Sequence, residues 1–160
     1  MNHALFRRWN PWLALIVRLY MGGLFVAASW HKILHPASFA LDIATYQILP
    51  LYLVNAMAIV LPWVELAAGL MLMAGIRNRA AALLVTGMIA LFTVALVIAV
   101  SKGLDMSCGC FASQGMEDDP ISWITVLRDL GWLALCLYIL FLDRAPLGVD
   151  RFRALKGAAE

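Results

Sequence analysis

The sequence predicts an all-α integral membrane protein, an antiparallel bundle of four transmembrane helices. Three observations predict it: 64% of the 160 residues are hydrophobic, only 14% are charged, and the mean hydropathy is +0.86. A soluble domain carries about 25% charged residues and about half apolar ones, so water is not this chain's main solvent. A membrane span takes about 20 apolar residues, and four of them use most of the chain, leaving tails and loops but no separate soluble domain. Residues 1–160 therefore read as one membrane domain with the lipid bilayer as its first partner. Lys and Arg number 12 against 10 Asp and Glu, a net charge of +2, without the clustered excess of base that a nucleic-acid surface requires. Nucleic acid is not an expected partner.

The first span, about 12–34, is nearly continuous apolar sequence interrupted by Arg18 and closed by His31, Lys32 and the His35-Pro36 step. A signal peptide is the rival reading, because Arg7 and Arg8 make a basic start and Ala27-Ala28-Ser29 could suit a peptidase; Arg18 argues against it by breaking the apolar core such a peptide needs. The second span, about 51–76, is longer than a bilayer requires, so tilt or a kink near Pro62 should absorb the excess. After the basic turn Arg77-Asn78-Arg79, the third span, about 80–101, carries no charge. The fourth, about 121–142, contains Arg128 and Asp129 and ends at Asp143-Arg144. Tails 1–11 and 143–160 remain, with two longer loops at 35–50 and 102–120.

Cytoplasmic segments of membrane proteins carry the excess of Lys and Arg. Here the tails and the turn between spans two and three hold Arg7, Arg8, Arg77, Arg79, Arg144, Arg151, Arg153 and Lys156, whereas the opposite side holds only Lys32 and Lys102. Both termini are thus expected in the cytoplasm of a bacterial inner membrane, and loop 102–120 outside.

That loop contains Cys108-Gly109-Cys110, on the side where disulfides persist. Two cysteines flanking one residue can close only through a small strained ring, and strain makes a disulfide easy to reduce or pass on. Gly109 supplies the backbone freedom such a ring needs. The first reading is a redox-active pair, Cys108 and Cys110, exchanging with the thiols of another protein. A static clip is a second, although so short a loop removes little chain entropy. A soft-metal site is a third: Cys108 and Cys110 with Met106, His31 and His35 would suit a copper-like ion. Cys136, among apolar neighbours in the fourth span, reads as a small buried hydrophobe.

Arg18, Glu65, Arg128 and Asp129 lie inside the spans, where each unpaired charge costs about 2.5–3.5 kcal/mol. At 1.5 Å rise per residue, Arg18 sits roughly 9 Å and Glu65 roughly 16 Å above the inner end, while Asp129 lies roughly 10–12 Å below the outer end. These depths predict Arg18 paired with Glu65, and Lys32 snorkelling to Asp129. Such pairs either fix helix register or serve a polar headgroup or a proton. Gly22, Gly23 and Ala27, then Ala67, Ala68 and Gly69, then Thr86 and Ala90, offer small faces for close helix contact. Trp9, Trp12, Trp30 and Trp123 lie near span ends as interface anchors.

Arg18, Lys32, the segment Pro62-Trp63-Val64-Glu65-Leu66 with Gly69, the basic turn ending at Arg79, and Ser107-Cys108-Gly109-Cys110-Phe111 together resemble the DoxX-like family, and within it the methylamine-utilisation (MauE) branch. The likeness covers about residues 15–140, with Ala112 departing from the Gly expected after Phe111. It implies a four-helix inner-membrane protein that supports disulfide formation or maturation of a periplasmic partner, often beside a thioredoxin-like protein. Other DoxX-like members look like subunits of a quinone-linked oxidoreductase, which makes quinone a candidate electron acceptor. Assembly into a homo- or hetero-oligomer is compatible with either role.

Overall fold

The computed structural model of the protein describes residues 3–104, 121–143 and 148–149. The described segments form helices throughout, in the order α1 (His3–Leu34), α2 (Pro36–Thr45), α3 (Leu51–Ala74), α4 (Asn78–Ser101) and α5 (Trp123–Leu142). Four of these are long and apolar enough to cross a membrane: α1 from Pro11 onward, α3, α4 and α5. The helix is the form such apolar runs must take, because lipid offers no partner for a backbone N–H or C=O. Their outer surface confirms the solvent, with Ile16, Leu91, Ile124 and Leu127 all exposed. Trp12, Trp30 and Trp123 are exposed near span ends, as anchors should be.

The bundle is antiparallel, and its side chains fix the register. Along α1, Arg18 meets Leu72 and Gly75, Gly22 meets Gly69, and Lys32 reaches Glu65, so partners on α3 run backward as α1 runs forward. Asn78 at the start of α4 bonds Asp143 just past the end of α5, which sets that pair antiparallel too. The core between them holds Val17, Met21, Phe25, Ala68, Leu72, Val85, Ile89, Cys136 and Ile139. Cys136 is buried, as expected of a small hydrophobe.

The α1–α3 seam is closed by glycine. A Cβ on Gly22 would stand 2.8 Å from the Gly69 carbonyl oxygen and collide with the Met73 side chain; one on Gly69 would stand 2.9 Å from the Gly22 carbonyl. The two backbones therefore touch directly, the contact small residues permit between membrane helices. Gly23 faces open space and takes no part in the seam.

Helix ends differ from the sequence reading by a few residues, each for a local reason. The second span stops at Ala74, short of Ile76, because Gly75 adopts a left-handed conformation (φ 67°). There the Gly75 N–H donates to Leu72 O and the Ile76 N–H to Met71 O, a glycine-capped turn that satisfies the orphan carbonyls. The third span opens earlier than expected, at Asn78, after Arg77 in a left-handed conformation. The fourth opens at Trp123, where Ser122 and Thr125 form a reciprocal capping box. The first helix begins further toward the N-terminus, at His3, and takes in much of what was read as a tail.

One element was not anticipated. Loop 35–50 contains α2, started by Pro36 in the first turn, where its missing N–H costs nothing. It packs on α3, burying Phe39, and the Tyr46 ring beyond its end meets Phe92 of α4 edge-on at 6.1 Å.

Candidate functional site

The bundle has two polar ends. At the end holding the α3–α4 turn, Arg18 is completely buried. Its Nε donates to Leu72 O at 3.1 Å, and its Nη1 stands 3.7 Å from Asp143 Oδ2. Asn78 Nδ2 donates to the same Asp143 oxygen at 2.8 Å. The guanidinium lies against Gly75, where any Cβ would overlap it, and Gly148 packs on Gly75 from the other side. Four helices thus converge on one carboxylate and one guanidinium.

The expected Arg18–Glu65 pair does not form. Arg18 lies beside the last turn of α3, about 10 Å along the helix from Glu65, and finds a helix-end carbonyl and Asp143 nearer at hand. Sequence reasoning placed Asp143 in the tail; its position one residue past a span end was the signal that it could reach a charge inside the bundle.

At the opposite end the Lys32 ammonium donates to both carboxylate oxygens of Glu65 at 2.9 Å, and both side chains are nearly buried. The ammonium also lies 4.7 Å from the centre of the Phe39 ring, so α2 lids the pair. On the same helix, burial pushes the Asp42 carboxyl above its ordinary value, with the Lys32 charge opposing the rise.

The expected Lys32–Asp129 pair is therefore also corrected. The α1–α3 seam puts Lys32 within reach of Glu65, and Asp129 turns to its sequence neighbour, with Arg128 Nε 3.7 Å from its Oδ1. The Arg128 guanidinium covers the Trp132 ring at 4.9 Å, and Trp132 Nε1 donates to Tyr20 OH at 3.2 Å across to α1.

His31 and His35 come together at this end, with ring centres 4.5 Å apart. Among the described residues no group of three or more His, Cys, Asp or Glu converges as a metal site would require. Cys108, Cys110 and Met106 lie outside the described residues; the ends of the segment that carries them, Leu104 and Ile121, are at this same end of the bundle.

Fold and side-chain placement define a multi-pass α-helical membrane protein with opposite charges set close together inside it, and with a Cys-Gly-Cys segment between its last two spans. The family described as "Methylamine utilisation protein MauE" matches residues 10–142, and the chain belongs to that family. The wider DoxX-like grouping is a looser relation. Methylamine utilization protein MauE of Paracoccus denitrificans is 34% identical over 131 residues, covering 81% of this chain and 69% of the relative. The protein of the same name from Methylophilus methylotrophus is 27% identical over 151 residues, covering 94% and 79%. That from Methylorubrum extorquens is 33% identical over 130 residues, covering 81% and 68%. No solved structure matches.

Proposed function

We propose that this chain is an inner-membrane protein of methylamine utilisation whose Cys108-Gly109-Cys110 pair exchanges thiols and disulfides with a periplasmic protein, supporting disulfide formation or maturation in that partner. The observation that carries the reading is a one-residue cysteine spacing in a segment tethered between two spans, at the end of the bundle opposite the basic Arg77–Arg79 turn. With both termini and that turn in the cytoplasm, as the positive-inside rule prefers, the pair lies in an oxidising compartment.

The exchange balances without an added group. A thiolate of the partner attacks one sulfur of the Cys108–Cys110 disulfide, that S–S bond breaks as a mixed disulfide forms, and the partner's second thiolate releases both cysteines as thiols. The partner is oxidised by two electrons and the pair is reduced by two. Re-oxidation then requires a two-electron acceptor, for which a membrane quinone is the class suggested by the DoxX-like likeness. The partner is expected to be thioredoxin-like or another thiol protein.

Cys108→Ser and Cys110→Ser each remove one sulfur of the pair, so at least one of them should trap a mixed disulfide visible on non-reducing electrophoresis and identifiable by mass spectrometry. A membrane-impermeant thiol reagent should label the reduced pair in intact cells. The reading fails if neither variant traps a partner and the pair stays in one redox state between about −300 and −120 mV, the range of thiol oxidoreductases. Stoichiometric metal in reduced protein, lost in Met106→Ala with His31→Ala, would replace it with a metal-binding role.

A further inference from the structure

Two acids lie inside the bundle, Glu65 and Asp129, and they are held differently. Both oxygens of Glu65 are bonded by Lys32 at 2.9 Å. Asp129 is more deeply buried, 1% exposed, yet its Oδ1 receives no hydrogen bond among the described residues, and Arg128 Nε stands 3.7 Å away. A carboxylate removed from water needs a full set of donors or a proton. Glu65 has the donors.

Asp129 also shares a helix face with two hydroxyls nearer the helix end. Ser122, Thr125 and Asp129 recur at spacings of three and four residues and so share one face of α5. Ser122 is half-buried at the mouth, and Thr125 is buried one turn inside. Their hydroxyl oxygens are 3.4 Å apart, with either able to donate. The stripe descends about 10 Å from the mouth to the carboxyl. A helix cap needs only its first turn; an acid one turn deeper on the same face is not part of capping.

We infer that Asp129 is a proton-binding site of the bundle, filled and emptied through the Ser122–Thr125 hydroxyls from the end that carries the Cys-Gly-Cys segment. In the step a hydronium or water O–H bond breaks and a carboxyl O–H bond forms at Asp129, with no redox change. The hydroxyls pass the proton by donating on one side while accepting on the other. Arg128 keeps its stacking on Trp132 in both states.

The charges packed around α5 leave Asp129 to this role. On α1, Arg18 holds Leu72 O and Asp143, Tyr20 holds Trp132, Lys32 holds Glu65, and His31 meets His35. On α4 no charged residue lies between Arg79 and Lys102. On α5 itself, Tyr138 and Cys136 lie more than a turn beyond Asp129, and Arg128 is its ion-pair partner. The inference does not rest on the thiol reading, since neither cysteine takes part and the test below does not measure thiol exchange.

The test is infrared difference spectroscopy of the whole protein in lipid nanodiscs, grown with isotope-labelled aspartate and stepped from alkaline to acidic buffer. Among the protonated-carboxyl bands carrying the aspartate isotope shift, one component should be lost in Asp129→Asn and persist in Asp42→Asn and in Glu65→Gln. With Ser122→Ala and Thr125→Val combined, the band should remain while its exchange with deuterated buffer slows several-fold. Where Asp129→Asn fails to accumulate, Asp129→Glu should carry the band without the aspartate shift. The inference is overturned if no aspartate-shifted component is lost in Asp129→Asn, if the same component is lost in Asp42→Asn, if its exchange is unchanged in the hydroxyl variant, or if it follows sodium concentration at fixed pH.

Discussion

The two ends of the bundle solve the same problem by different means. At the Arg18 end, a buried guanidinium is held by a backbone carbonyl, a carboxylate and the close approach of Gly75, and Asn78 secures the carboxylate from α4. At the Lys32 end, the contacts are made by long side chains reaching across from α1 and by a ten-residue helix laid over them. One end is tied by backbone geometry that tolerates no added atom. The other is tied by flexible reach, and it is the end from which the cysteine-bearing segment leaves. The bundle thus keeps its tightest backbone contacts at the end away from that segment.

The largest effect should come from breaking the rigid end. Asp143→Ala removes the carboxylate that pairs with the Arg18 guanidinium and accepts from the Asn78 amide, and breaking a buried ion pair costs about 3–5 kcal/mol. Asp143→Asn keeps an acceptor for Asn78 and should cost about 1–3 kcal/mol. Unfolding in mixed detergent micelles should rank wild type, Asp143→Asn and Asp143→Ala in that order; equal stabilities would mean the knot at this end does not hold the bundle.

A smaller effect is expected at the seam that sets the register of both ends. Gly22→Ala drives a methyl into the Gly69 carbonyl and the Met73 side chain and should cost about 1–3 kcal/mol. Gly23→Ala meets open space and, by raising helix propensity, should be neutral or stabilising by up to about 1 kcal/mol. In the same unfolding assay Gly22→Ala should lose stability and Gly23→Ala should not; equal losses would mean that the seam is not where α1 and α3 touch.

The smallest effect belongs to the flexible end and depends on pH. Asp42 takes up a proton more readily in the folded protein than its ordinary 3.8 because burial disfavours its charge, with Lys32 opposing. The folded state therefore binds the proton more tightly than the unfolded state, so docking of α2 should strengthen as pH falls from the raised value toward 3.8 and weaken as pH rises through it. Asp42→Asn should flatten that dependence. Protection of α2 amides in hydrogen exchange, measured across the same pH window, reads the change directly; a slope that survives Asp42→Asn would assign it to another group.

The four spans were legible because in lipid one factor, apolar length, outweighs every other. Their ends were less so, although the signals existed: Gly75 before a basic turn marks a helix stop, and Ser122 with Thr125 spells a capping box. The helix α2 was hidden by its shortness, with Pro36 its only clear start signal. Charge pairing was the least legible. Depth along a helix follows from counting residues, but partnership depends on rotation about the axis and on how far Arg18 and Lys32 extend, and counting fixes neither. Arg18 therefore turned to Asp143 and Lys32 to Glu65, against the depth estimate. Cys108 and Cys110 are legible as a chemical motif and lie outside the described residues.

The α3–α4 turn, which consists of Gly75, Ile76 and Arg77, also bears on the order in which the bundle is assembled. So short a connection brings two helices together at almost no loop-closure cost, so their contacts should be the first long-range ones formed. The carbonyl of Leu72 and the flat backbone of Gly75 reach their final arrangement only when that turn closes, and these are the surfaces Arg18 binds. Arg18 of the first helix thus settles into place once that turn has closed, and α5 completes the knot by delivering Asp143. At this end of the bundle the expected order of contacts differs from chain order, and a connection of three residues is the reason.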